Sequence, residues 1–407
     1  MQDRRRDLGY TGDIKCRHIS AVCRWRNDRM KVVVAIDSLK GSLSSMEAGE
    51  GIRNGIKRVY PEAEVIVKPL ADGGEGTVEA LVEGYGGAYI NRSVCGPMRE
   101  KVNAAYGIIP DKKQAVMEMA AAAGITLLKG RDKKPLLATT FGVGELILDA
   151  IHRGCRNFII GIGGSATNDA GIGMLTALGY RFCDREGNPV GISADSLKQV
   201  ASIKMDTVIP ELKECTFQVA CDVNNPLCGT NGATWIYGPQ KGVTDEMKEE
   251  LDRDLAHFAD ITAITLGQDY SEYPGAGAAG GLGFAFLSFL GGILTPGIDL
   301  VMKAVDLEKE LADADFVITG EGRLDLQTAM GKAPAGVAAL AKKHGVKVIA
   351  FAGSVSKDAV KCNEKGIDAY FPILQEVTTL EQAMDSQVAL TNITNTTEQV
   401  FRLIKVL

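Results

Sequence analysis

Six short segments gather acids, hydroxyls, amides and cations among glycines, and each can do chemistry on an anion. The densest is Gly161-Ile162-Gly163-Gly164-Ser165-Ala166-Thr167-Asn168-Asp169-Ala170-Gly171. Glycine lets main-chain N–H groups approach an anion closely, so the amides of Gly163, Gly164 and Ser165 are candidates for a phosphate nest. Ser165, Thr167 and Asn168 can bond phosphate oxygens, and Asp169 can serve as a base or a metal ligand. Asp37-Ser38-Leu39-Lys40-Gly41-Ser42 offers a lysine for a phosphate and an acid for Mg²⁺ or a hydroxyl. Ala71-Asp72-Gly73-Gly74-Glu75-Gly76-Thr77 sets two acids among three glycines, which suits a metal or the uptake of a hydroxyl proton. Thr319-Gly320-Glu321-Gly322-Arg323-Leu324-Asp325 brings two acids and an arginine, with Lys332 at the next helix start. Cys221-Asp222-Val223-Asn224-Asn225-Pro226 adds a carboxylate and two amides. The small-residue turn Gly275 to Gly283, with Gly280 and Gly281 at its centre, either shapes a nucleotide pocket or permits close helix packing. Capped turns with solvated side chains are the plain alternative for each segment.

Composition narrows the chemistry. The 407 residues carry a net charge of −6, which argues against nucleic acid as the main partner. Hydrophobic residues make up 45% and charged residues 24%, as in ordinary globular proteins, and no apolar run reaches the ~20 residues of a membrane span. The nine cysteines have no disulfide or zinc spacing, so reduced thiols and a cytoplasmic location are expected. Only four histidines occur, none in a glycine-rich loop, so the acids, bases and clamps must be Asp, Glu, Lys and Arg. No Walker A motif is present: near Gly331-Lys332, Leu326 stands where the first glycine belongs and Ala333 replaces Ser or Thr. The loop Gly161 to Ala166 also fits a dinucleotide fingerprint, with Asp184 about twenty residues on, and this keeps an NAD-dependent dehydrogenase in view.

The elements that must position these residues follow from pattern. Val32 to Ile36 reads as a strand buried on both faces. Ser44 and Glu47 form a capping box for a helix to about Arg58, and Ala63 to Leu70 is a second strand, completing a βαβ unit. Short strands fill 88–120, and a helix from Val143 and a strand from Phe158 to Ile162 lead into the glycine loop. A hairpin near Asp184 to Asn188, a strand Phe217 to Cys221 and a charged helix Asp245 to Ala259 follow. Simple alternation returns with strands Phe316 to Thr319, Val346 to Ala352 and Ala369 to Ile373, and with helices Pro334 to His344, Lys357 to Lys365 and Leu380 to Leu390. The expectation is an α/β protein of two domains: a discontinuous parallel-sheet domain, residues 30–72 and 296–407, with a mixed α/β domain, 73–295, inserted. Residues 1–29 are Arg-rich without hydrophobic periodicity and read as a dispensable extension ahead of Met30.

Taken together, and in this order from Met30 to the C-terminus, these segments resemble the glycerate kinase family of the bacterial glycerate 2-kinase type. Asp37 to Ser44, Pro69 to Thr77, Gly161 to Gly173, Cys221 to Pro226, Pro274 to Gly283 and Thr319 to Asp325 carry the resemblance, with Gln327-Thr328 and Gly331 to Pro334. Leu39 stands where the family often has an aromatic residue. The resemblance implies a flavodoxin-like domain, a second α/β domain and a site in the cleft between them. It also implies ATP, Mg²⁺ and D-glycerate, with 2-phosphoglycerate as product (3-phosphoglycerate is the alternative), in the degradation of glyoxylate and related organic acids. A kinase for another small hydroxy acid and a homo-oligomer are both compatible with the sequence.

On that footing Asp72 or Asp169 takes the hydroxyl proton. Asp222, Glu321 and Asp325 are the metal candidates. Lys40, Lys332 or Arg323 holds a carboxylate or the transferring phosphate, with Ser38, Gly73, Gly74, Gly163, Gly164, Ser165, Thr167 and Asn168 lining the substrate and phosphate side. Gly280, Gly281 and Asn224 are the nucleotide candidates.

Overall fold

The computed structural model describes residues 30–74, 76–130 and 132–407. The expectation for residues 1–29 and the acid Glu75 lie outside the described residues. Strands are β1 (Lys31–Val34), β2 (Glu64–Val67), β3 (Ala88–Cys95), β4 (Lys101–Ile109), β5 (Gln114–Glu118), β6 (Asn157–Gly161) and β7 (Arg181–Cys183). They continue with β8 (Ser202–Lys204), β9 (Thr216–Ala220), β10 (Ile293–Thr295), β11 (Phe316–Leu324), β12 (Lys347–Val355) and β13 (Ala369–Pro372).

One sheet has the order β13-β12-β11-β1-β2, and every pairing in it is parallel. Renumbered within that sheet the order is 2-1-3-4-5, the flavodoxin-like arrangement, whose ligands bind where the strand order reverses, between β1 and β11. The second sheet, β10-β9-β6-β5-β4-β3, is parallel from β10 to β5 and antiparallel from β5 to β3. β7 and β8 form a separate antiparallel pair.

Local chemistry sets the elements. Val32, Val33 and Val34 are fully buried, as a β-branched central strand requires. The helix Ser45–Val59 begins with the expected capping box, Ser44 accepting from Glu47 N and Glu47 from Ser44 N. Its Gly51 and Gly55 let the C-terminal helix Ser386–Val406 come close: a Cβ on Gly55 would lie 2.5 Å from Thr394 O. One apolar cluster binds the two sheets, joining Val33, Ala35 and Val317 of the first to Val116, Ile159 and Ala220 of the second.

Three sequence expectations change. The segment Gly320 to Leu324 is not a loop after a short strand. β11 continues through it, paired with β12 as far as Val355. Gly320 makes this possible at φ +155°, where a Cβ would sit 1.9 Å from Phe351 O. The helix expected over Leu380 to Leu390 is two helices, Leu380–Met384 and Ser386–Val406, because Asp385 caps the second by accepting from Gln387 N and Val388 N. Lys357 to Lys365 is a 3₁₀ turn followed by the one-turn helix Lys361–Glu364. Among the described residues no helix is long and apolar enough to cross a membrane.

Candidate functional site

Two cavities open at the carboxyl ends of the strands. The first, about 370 Å³, lies over β1 and β11 and is lined by Asp37, Ser38, Lys40, Glu321, Arg323, Asp325 and Lys332. Its outer wall is apolar, formed by Leu39, Ile373, Leu374, Leu380 and Met384. The second, about 300 Å³, lies over β6 and β9 and is lined by Gly73, Gly74, Gly163, Gly164, Ser165, Asp222, Tyr237 and Lys241. The segment Ala71–Gly74 runs between them. Its backbone is pressed against the second sheet: a Cβ on Gly73 (φ +89°) would fall 2.3 Å from Gly297 Cα, and one on Gly161 2.7 Å from Gly73 O.

Asp37 leaves β1 at the switch point, its N–H donating to Gly320 O at 2.9 Å. Its carboxyl is buried and accepts from Ser38 N at 2.7 Å. Burial, then the charge of Asp72, push it up to about 7, against the weaker opposing effects of the Ser38 amide and Lys40. Asp72 accepts from Gly74 N at 3.1 Å and lies 3.7 Å from Lys40 Nζ. A buried carboxyl beside a second carboxylate and a lysine can hold or release a proton near neutral pH.

Glu321, on the extended end of β11, accepts from Thr328 Oγ1 at 2.5 Å and faces Lys332 Nζ at 4.0 Å. Burial raises its carboxyl, Thr328 and Lys332 oppose that, and Asp325 and Asp72 add to it. Asp325 caps the turn Leu326–Ala329, its Oδ1 accepting from Gln327 N and Thr328 N. Each of these two acids therefore keeps one oxygen out of hydrogen bonds. Arg323 is exposed on the cavity wall and has no ion-pair partner among the described residues.

In the second cavity Gly163 and Gly164 are exposed, and the backbone changes hand at Gly164 (φ +70°). The Gly164 carbonyl accepts from Ile125 N, yet the amides of Gly163, Gly164 and Ser165 donate to no described residue. Open N–H groups at a cavity wall suit an oxyanion. Asp222 holds the start of the helix Gly297–Ala304 through Gly297 N at 2.8 Å, and burial raises its carboxyl.

The remaining expected residues lie elsewhere. Asp169 is completely buried beneath the loop and accepts from Thr140 N, Thr140 Oγ1 and Gly171 N at 2.8, 2.8 and 3.2 Å. It lines neither cavity, and its hydrogen bonds anchor the loop. Thr167 and Asn168 are buried beside it, Asn168 Nδ2 donating to Thr234 Oγ1. Gly280 and Gly281 also line neither cavity. They are left-handed glycines against the Thr167–Ala170 backbone, where a Cβ on Gly280 would meet Thr167 O at 2.0 Å. Asn224 is exposed and lines neither cavity. The sequence reading missed Lys241, Tyr237 and the apolar wall of the first cavity. Lys241 sits in a Pro-Gln-Lys-Gly turn that reads as solvated, and the wall comes from segments far apart in sequence.

The dinucleotide alternative fails on topology. Asp184 follows β7, which pairs only with β8, so it cannot stand at the end of a strand beside β6 as the fingerprint requires.

A doubly wound parallel sheet with cations and acids at its switch point, joined to a second sheet bearing open amides, defines a phosphoryl-transfer enzyme. The chain belongs to the glycerate kinase family, whose pattern it matches over residues 32–405. It is 48% identical to the glycerate 2-kinase of Escherichia coli K12 over 354 residues, 87% of this chain and 93% of that one. It is also 48% identical to the glycerate kinase of Bacillus subtilis 168, over 88% of this chain and 93% of the relative. A crystal structure of a Salmonella typhimurium LT2 protein, assigned as glycerate kinase 2, superposes with a TM-score of 0.86 at 44% identity, covering 93% and 99% of the two chains.

Proposed function

We propose that the chain transfers the γ-phosphoryl group of ATP to the 2-hydroxyl of D-glycerate, giving 2-phosphoglycerate and ADP. The observation that carries this is the Asp37–Asp72–Lys40 group at the seam between the two cavities. The nucleotide takes the first cavity, its purine against Leu374, Leu380 and Met384 and its phosphates towards Lys40, Arg323 and Lys332. The acceptor takes the second, its carboxylate on the amides of Gly163 to Ser165. The hydroxyl meets the γ-phosphorus beside Asp72. As its oxygen forms the new P–O bond and the bond to ADP breaks, the Asp37–Asp72 pair takes the proton. Positioning and charge neutralisation, rather than covalent catalysis, lower the barrier.

Mg²⁺ fits this reading. Glu321 and Asp325 both line the first cavity, and Mg²⁺ is usually held by one or two carboxylates together with substrate phosphates. When bound it neutralises phosphate oxygens. We take residues 30–72 and 296–407 as one domain and 73–295 as the other, following the membership of the two sheets.

The test is D-glycerate with ATP–Mg²⁺, scoring ADP release and coupling the product directly to enolase. Immediate enolase turnover supports the 2-hydroxyl as acceptor. Enolase that stays silent until a phosphoglycerate mutase is added would move the acceptor to the 3-hydroxyl, and no glycerate-dependent ADP release would overturn the reading.

A further inference from the structure

The second cavity contains a cation that the mechanism above leaves unused. Lys241 ends a short turn after Pro239, and it is 2% exposed. Its Nζ makes one hydrogen bond, donating to Thr167 O at 2.6 Å. No carboxylate stands within ion-pair distance of it among the described residues. A buried ammonium with so little compensation is costly, and such a group persists where an anion completes its surroundings. Its neighbours on the cavity wall are Gly163, Gly164 and Ser165, whose amides are also unmatched. The Lys241 ammonium and the three amides thus bring unsatisfied donors from two separate segments to one cavity.

The charged and titratable groups facing Lys241 are few. Asp169 reaches it from the loop below, but both its oxygens are committed to Thr140 and Gly171. Asp222 and Cys221, at the end of β9, and Tyr237, from the helix Ala233–Tyr237, share the cavity wall. Lys133 approaches from outside, its Nζ donating to Gln240 O at 2.8 Å.

We propose that Lys241 and the amides of Gly163, Gly164 and Ser165 form one oxyanion site, and that its ligand is the carboxylate of the hydroxy acid acceptor. This deepens the kinase reading and rests on it. The site selects for an acid: an uncharged polyol of the same size would leave the ammonium and the amides unmatched. Burial pushes the ammonium down to about 7, and the charge of Asp169 only partly opposes this. Near neutral pH the empty site is therefore partly uncharged, and an arriving carboxylate draws a proton onto Lys241.

The experiment has two arms, both on the full chain. Calorimetric titration of D-glycerate into wild type near pH 7.5, in two buffers of different ionisation enthalpy, is expected to show uptake of a large fraction of a proton per glycerate bound. Lys241→Arg, whose guanidinium stays charged, should abolish that uptake. In steady-state kinetics Lys241→Met, checked for folding by circular dichroism, should raise the KM for glycerate about 10- to 100-fold and leave the KM for ATP within about threefold. An unchanged glycerate KM, or a rise confined to ATP, would overturn the proposal; the latter would place a phosphate on this loop. Proton uptake that persists in Lys241→Arg would also overturn it. Failure of the kinase reading looks different: wild type itself would release no ADP with glycerate.

Discussion

Replacing Asp37 by Asn should stabilise the protein in alkaline solution while removing most of its turnover. The carboxyl is 4% exposed, so water does little to screen its burial. Its ordinary value of 3.8 is pushed to about 7, by burial first and by Asp72 second. Between those two values the folded chain holds a proton that the unfolded chain has released, so stability falls as pH rises and the loss is complete above about 7. A shift of roughly three units corresponds to about 4 kcal/mol at pH 8 and to less than about 2 kcal/mol at pH 5. Asn carries no charge and can still accept from Ser38 N, which lies 2.7 Å from the present oxygen. The variant should therefore gain on the order of 4 kcal/mol over wild type at pH 8, and clearly less at pH 5. Urea unfolding followed by circular dichroism at pH 5, 6.5 and 8 measures the gain, and turnover should fall about 10²–10³-fold. An Asn variant whose stability differs from wild type by the same amount at pH 5 and pH 8 would show that Asp37 is an ordinary ionised carboxylate, and the raised acid at the switch point would be gone.

Three further substitutions test the buried anchor of the loop and the tight seam. Asp169→Asn puts an amide N–H against the Thr140 or Gly171 donors, so it should cost about 1–3 kcal/mol of stability while turnover per folded molecule stays within about tenfold of wild type; a loss of 10²–10³-fold in fully folded protein would restore Asp169 as a base. Gly73→Ala must place a Cβ 2.3 Å from Gly297 Cα at φ +89°, whereas a Cβ on Gly74 would meet only Asp72 Oδ1 at 3.2 Å. Gly73→Ala should lower the thermal midpoint far more than Gly74→Ala, and equal midpoints would refute the tight seam.

Residues whose partners are close in sequence were legible from the start. The Ser44–Glu47 capping box, the buried run Val32 to Val34 and the parallel strands near the C-terminus all follow from local pattern, and so does the mixed character of the middle of the chain. The end of β11 was not legible, because Gly320, Gly322 and Asp325 look like loop chemistry. Only the pairing with β12, a long-range contact, turns that segment into strand. The same holds for the site. The glycine-rich loops announced themselves, but only the folded chain shows that Asp37 lines a cavity while Asp169, buried as well, lies beneath one. Lys241 carried no signal, since a lysine between glutamine and glycine reads as solvated until the fold closes over it.

The placement of charge across the seam has its own logic. Five acids, Asp37, Asp72, Asp222, Glu321 and Asp325, share the two cavities and their junction with four cations, Lys40, Lys241, Arg323 and Lys332. On the proposed kinase reading two anionic substrates enter that surplus of negative charge, and in a confined site of low dielectric the repulsion is severe. A proton on Asp37, whose carboxyl burial and Asp72 raise to about 7, would remove one negative charge at the proposed point of phosphoryl transfer. A divalent cation beside Glu321 and Asp325 would remove the next two. The seam itself cannot yield to relieve the strain, because Gly73, Gly161 and Gly297 bring backbone against backbone there. A site whose geometry is fixed by main-chain contact must meet its charge balance through protons and ions, and Asp37, Glu321 and Asp222, whose carboxyls are all raised, stand on the two cavity walls.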